Sequence, residues 1–142
     1  MAYKTKYNPK NINKYVGNHH NIVCRSLWER KFCKYLDSND NVVRWSSEEI
    51  KIPYLSTIDN SVHFYYPDFV FEAKKEDGVV TYMVEIKPEK QTKQPKQRKN
   101  KKTYLQESIQ FEINTCKWKA AKQYCQKNGW IFRILTEKDI FK

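Results

Sequence analysis

Apolar and polar positions along the chain alternate in two distinct rhythms. Residues 26–37, "SLWERKFCKYLD", carry a helical stripe of Leu27, Trp28, Phe32, Tyr35 and Leu36, and Ser26 suits the N-cap. "IKIPYL", within residues 48–55, is a short strand signal with Pro53 near its end. "VHFYYPDFVFE", residues 62–72, reads as a longer strand in which Pro67 argues for an edge or a bulge. "KKEDGV" is a turn, with Gly78 free to take positive φ, and residues 79–87 form the next strand. The pattern therefore predicts a hairpin over 62–87.

Beyond the hairpin the rhythm stops. Residues 88–102, "PEKQTKQPKQRKNKK", hold no apolar position that a core could use and predict an extended, flexible loop. Residues 103–111 are compatible with a short helix. A clearer helix covers about 115–127, capped by Asn114 or Thr115, striped by Trp118, Ala121, Tyr124 and Cys125, and stopped by Gly129. "WIFRIL" is a strand, and "TEKDIFK" a capped helical turn. Residues 1–22 read as a basic arm or irregular lead-in, with His19 and His20 in a loop. The expected fold is one α/β or α+β domain over residues 1–142, built on a single mixed sheet flanked by helices.

Composition sharpens this picture. Aromatic residues make up 15% of the 142 residues, enough to build a core although only 39% of the chain is hydrophobic. The net charge of +11 favours a polyanionic partner, with nucleic acid first and an anionic membrane surface as competitor. No apolar run approaches a membrane span and no signal peptide is evident, so neither a spanning nor a secreted form is expected. Cys24, Cys33, Cys116 and Cys125 include no C-x-x-C spacing, so reduced, mostly buried thiols are expected rather than a zinc site.

The chemistry concentrates in a few acids. Asp68 and Glu85 fall on the two strands of the predicted hairpin, where side chains of neighbouring strands approach closely. Two buried carboxylates repel unless a cation joins them. Hard oxygen ligands with open water positions suit Mg2+, with Mn2+ as substitute, and such an ion activates water and stabilises charge on phosphate. Lys87 shares the strand face of Glu85, within reach of an attacking water or of developing phosphate charge. Other readings stand beside these: an exposed Glu85–Lys87 ion pair, and a turn acid at Asp68. Glu29 has its own structural explanation, since Ser26 to Glu29 is an S-x-x-E capping box. His63 has the wrong parity to face Asp68 in a regular strand.

Pro67-Asp68, followed on the next strand by Glu85-Ile86-Lys87, resembles the PD-(D/E)XK nuclease signature, and the helix bearing Glu29 precedes it as in many members. More narrowly, "RSLWERKF", "HFYYPDFVF", "VEIKPEKQTKQP" and "INTCKWKAAKQYCQKNGWIFRILTE" together resemble the head-completion nucleases of contractile-tailed myophages. Those nucleases in turn resemble TnsA-type transposon endonucleases. The likeness runs from about residue 8 to residue 137. It implies a restriction-endonuclease-like core that cuts DNA with a divalent metal. Carried over by position, Glu29, Asp68 and Glu85 would be metal-binding acids, Ile86 would offer its carbonyl, and Lys87 would be the catalytic cation. Gln91 and Gln94 are both available for the assisting role that a residue after the lysine sometimes takes in the superfamily.

The resemblance further implies action on DNA after packaging and before tail joining. Head, portal or neck proteins would be partners, and the place of action the virion or the host cytoplasm during assembly. The loop after Lys87 departs from the family in being more basic. Lys90, Lys93, Lys96, Arg98, Lys99, Lys101 and Lys102 are the expected DNA-backbone contacts. A non-enzymatic DNA-binding head or neck component is the alternative, and a transposase subunit a third reading. The sequence leaves the DNA substrate and the oligomeric state open.

Overall fold

The computed structural model describes residues 4–141; residues 1–3 of the lead-in and Lys142 of the C-terminal turn lie outside the described residues. Strand β1 (Thr5–Lys6) pairs antiparallel with β2 (Val23–Cys24). Helix α1 (Leu27–Ser38) is followed by β3 (Val42–Ser47), β4 (Ile52–Ser56), β5 (Ser61–Tyr65), β6 (Phe69–Lys75) and β7 (Gly78–Ile86). A 3-10 turn at Glu89–Thr92 leads to α2 (Lys101–Asn128), β8 (Ile131–Leu135) and α3 (Glu137–Ile140).

The central sheet has the order β3-β6-β7-β8. Its first two pairings are antiparallel and β7–β8 is parallel, so the sheet is mixed, in an α+β fold. Neighbouring residues on β7 serve opposite faces, as strand alternation requires. Val84 packs with Phe32, Cys33 and Leu36 of α1, together with Trp45 and Phe69. Met83 packs with Trp118, Ala121 and Cys125 of α2, together with Tyr54 and Tyr65. The sheet is thus sandwiched between α1 and the second half of α2.

Several expectations are corrected. The predicted strand over 62–72 is two strands. Pro67, fully buried and without an N–H, stands in the break between them. The first piece, β5, pairs with β4 in a separate two-stranded sheet, so the hairpin of the central sheet starts at Phe69. Strand β3 was not expected at all. The two helices predicted around 103–127 are one continuous helix capped by Asn100, whose side chain accepts from Thr103 N–H at 3.2 Å. Asn114 is not a cap but a buried residue in mid-helix, bonded by Gln110 Nε2 at 3.0 Å. Gly129 does end the helix, at φ 71, where glycine escapes the Cβ clash.

On α1, Ser26 caps as expected, its Oγ accepting from Glu29 N–H at 3.1 Å. The buried stripe is rotated from the predicted one. Leu27 and Tyr35 are exposed, whereas Cys33 and Asp37 are buried. Asp37 explains the rotation, because it gathers the lead-in. Its carboxylate accepts from Tyr7 Oη at 2.9 Å, Lys10 N–H at 2.7 Å and Asn11 N–H at 3.0 Å. Tyr7, Tyr15 and Ile22 of the lead-in are buried in the core. All four cysteines are free thiols; three are buried and Cys116 is half-buried.

Candidate active site

The break at Pro67 is what places Asp68. Chain leaving the small β4–β5 sheet enters the central sheet at Phe69, and the register pairs Phe69 with Val84. Extending it by one residue sets Asp68 opposite Glu85. Asp68 is pinned on both sides. Its Oδ2 accepts from Ile86 N–H at 2.8 Å, and its carbonyl accepts from Glu48 N–H at 3.3 Å. The Asp68 and Glu85 carboxyl groups are close enough that the charge of Glu85 raises the Asp68 carboxyl.

By alternation Glu85 points to the α2 side of the sheet, with Met83. There the buried Tyr65 hydroxyl donates to Glu85 Oε2. Burial pushes the Tyr65 hydroxyl far above its ordinary range, and the Glu85 charge adds to the shift, so the phenol stays a donor. Asp68 is raised well above the usual carboxylate range, first by burial and then by the charges of Glu85 and Glu29. The Ile86 N–H opposes that shift without cancelling it.

Glu29 comes from the first turn of α1 and is buried. Its Oε1 accepts from Arg25 N–H at 3.3 Å, so the expected reciprocal cap reaches one residue further back than Ser26. Burial raises its carboxyl, Arg25 N–H opposes this, and the charges of Glu48 and Glu85 raise it further. Glu29 therefore lies in the electrostatic field of the pair. It does not close into a three-acid group with it: among the described residues no three His, Cys, Asp or Glu side chains form a ready-made metal cage.

Ile86 is buried at the end of β7, and its N–H is committed to Asp68. Lys87 follows immediately. Its N–H donates to Leu135 O at 3.0 Å, continuing the parallel pairing with β8. Its side chain is half-buried and, among the described residues, makes no ion pair. Alternation puts it on the Glu85 side. His63 is exposed and bonded to Asp59 at 2.7 Å, outside the acid cluster, as its parity requires.

The basic segment is more ordered than a free loop. Glu89 anchors it, its N–H donating to Glu137 Oε1 at 2.8 Å and its carboxylate pairing with Lys138 at 2.9 Å and Lys93 at 3.3 Å. Arg98 pairs with Glu107 of α2 at 3.0 Å. Lys101 and Lys102 belong to the first turn of α2 rather than to the loop, because Asn100 caps the helix there. Lys90, Lys96 and Lys99 make no ion pair among the described residues.

Three residues of the cluster went unnoticed in the sequence. Tyr65 is one. Glu48, at φ 53, and Arg25 are the others, paired at 3.1 Å beside Glu29. The Glu48 bond, then its charge, raises the Arg25 guanidinium, and Glu29 and Asp68 add to the shift, so Arg25 partly balances the acids. The signal available was the "SSEE" run after a buried Trp45, which reads as a turn only once β3 is recognised.

Two carboxyl groups this close hold either a proton or a cation between them. Their hard oxygens suit Mg2+ or Mn2+, which keep water in the remaining positions. The donor set therefore fits a divalent ion held by Asp68 and Glu85, with Glu29 contributing charge from α1.

Comparison with known proteins gives the family. Residues 39–137 match the family described as TnsA-like endonuclease N terminal, a domain with a restriction-endonuclease-like fold. The matched span holds Asp68, Glu85 and Lys87, whereas Glu29 precedes it. The head completion nuclease of Enterobacteria phage T4 is 38% identical over 142 residues, covering 96% of this chain and 93% of that protein.

Proposed function

The chain belongs to the TnsA-like endonuclease family, and on that premise we propose that it is a divalent-metal-dependent DNA endonuclease acting in phage head completion. The single observation that carries this reading is Asp68 set opposite Glu85 by the β6–β7 register and pinned there by Ile86 N–H, with Lys87 following on the same strand face. The T4 relative's name supports the place in head completion. That place implies head, portal or neck proteins as partners and work in the host cell during assembly. Among the described residues no helix is long and apolar enough to cross a membrane.

Asp68, Glu85 and the Ile86 carbonyl would hold the ion, and Glu29 would join through its charge or through an intervening water. When bound, the ion supplies a Lewis acid for the phosphate and lowers the pKa of water. The protein's own groups do the rest. Ile86 N–H and Glu48 N–H fix Asp68 from two sides, so little reorganisation accompanies reaction. Tyr65 holds one oxygen of Glu85 and thereby orients the other. Lys87 orients the attacking water and offsets charge developing on the phosphate oxygens. Water oxygen forms the new bond to phosphorus as the bond to the 3′ oxygen breaks. One water proton is released and the leaving oxygen takes up another, giving a 5′-phosphate and a 3′-hydroxyl.

The test is nicking of supercoiled plasmid in Mg2+ by the wild type, Lys87→Ala and Asp68→Ala. The wild type converts the plasmid and both variants lose at least about 100-fold in rate. Equal rates in all three remove the enzymatic assignment. DNA binding without cleavage in Mg2+ and in Mn2+ leaves a non-enzymatic head component.

A further inference from the structure

A cleft of ≈ 680 Å3 lies between residues 89–98 and the N-terminal half of α2. Lys90, Lys96 and Arg98 line it from the segment; Gln106, Gln110 and Phe111 line it from the helix. We propose that this cleft seats an unpaired stretch of a DNA strand, so that the substrate is DNA with a single-stranded segment beside the cleavage point. The inference rests on the endonuclease reading and adds its substrate class.

The lining supplies the three groups that single-strand binding uses. Cations neutralise phosphates, carboxamides both donate to and accept from base edges, and an aromatic ring offers a stacking surface. The volume falls within the range of small-ligand sites and is far too small for a duplex. Acids in the wall do not reverse the charge. Glu89 is neutralised by Lys93 and Lys138, and Glu107 by Arg98, which leaves Lys90 and Lys96 without ion pairs among the described residues.

The cleft is also built rather than incidental. One end of the segment is tied to α3 through Glu89, and the other to α2 through Arg98. Both walls lead to the acids. The segment starts one residue after Lys87, at Pro88. On α2, Asn114 in the cleft lies less than one turn from Lys117, whose Nζ sits 5.8 Å from the ring centroid of Tyr65, the donor to Glu85. A strand lying in the cleft is therefore led toward Asp68 and Glu85.

The experiment is fluorescence polarisation in EDTA with the full chain, using a blunt hairpin duplex and the same duplex carrying a short oligothymidine tail. The tailed probe binds about tenfold more tightly, the order expected for one stacked base. Phe111→Ala and, separately, Gln110→Ala bring the tailed probe down to the blunt level and leave the blunt affinity unchanged. Equal binding of the two probes by the parent overturns the proposal, as does an equal loss on both probes in both variants. Plasmid nicking measured in parallel keeps the two readings apart. Tail preference without nicking upholds the cleft and sinks the endonuclease. Nicking without tail preference does the reverse.

Discussion

Asp68 and Glu85 face each other across the open end of the β6–β7 hairpin, and the Ile86 N–H holds Asp68 there at 2.8 Å. A half-buried, desolvated carboxyl beside a second one binds its proton more tightly in the folded chain than in the unfolded one. Its contribution to stability is therefore fully present below the unfolded pKa of about 4 and is lost as pH climbs through the raised folded value. In chelator, the melting temperature falls with rising pH across that window. Asp68→Asn flattens the fall and melts higher than the wild type at pH 8, by about 2–4 °C per kcal/mol of relieved repulsion. Adding Mn2+ at pH 8 restores the wild type and not the variant. Differential scanning calorimetry across pH, with and without metal, checks all three outcomes.

Tyr65→Phe removes only the donor to Glu85 Oε2 and keeps the ring in the α2-side core. Groups that orient a metal ligand are worth about 10- to 100-fold in affinity. Isothermal titration with Mn2+ shows a loss in that range, with circular dichroism unchanged. An unaltered isotherm means that Glu85 is oriented by something other than the phenol.

Glu29→Gln separates charge from capping. The amide oxygen still accepts from Arg25 N–H, so the start of α1 is kept. The negative field on the pair is lost. Mn2+ affinity drops about tenfold, the order expected for one nearby charge at an effective dielectric near 20, while urea denaturation stays within ~0.5 kcal/mol of wild type. A large stability loss with intact metal affinity would instead make Glu29 a capping residue alone.

The basic segment gives a graded expectation for DNA affinity against salt. Lys96 makes no ion pair among the described residues, whereas Lys93 is bound to Glu89 at 3.3 Å. Lys96→Ala lowers the slope of log K against log salt by about 0.9, the amount for one phosphate contact. Lys93→Ala lowers it less, because its charge is already partly compensated inside the protein. Filter binding over a salt series on one duplex measures both. Equal slopes for Lys96→Ala and wild type remove Lys96 from the DNA contact.

The elements that the sequence announces are those whose signals are local. Ser26 caps α1 and Gly129 ends α2 because a hydroxyl and a missing Cβ act within one turn. Asp68 and Glu85 are legible because two strands of one hairpin bring them together. Tyr65 is not, since its bond to Glu85 depends on the chain changing sheets at Pro67. Strand β3 was hidden because Ser46 and Ser47 are buried polar residues, Ser47 N–H donating to the Tyr15 hydroxyl at 3.1 Å from far along the chain. The predicted break in α2 at Asn114 and Thr115 came from residues that favour caps. Inside the helix their side chains are satisfied locally, Thr115 Oγ1 bonding Phe111 O at 2.8 Å and Asn114 receiving Gln110.

The parallel pairing of β7 with β8 encloses the whole of α2, which orders events during synthesis. Both acids leave the ribosome on one hairpin of short sequence separation, the kind of contact that forms early. Leu135, which receives the Lys87 N–H, emerges only after the long helix. A nascent chain thus carries both acids well before the Lys87 N–H finds its acceptor, and the hairpin end is closed only by the last strand.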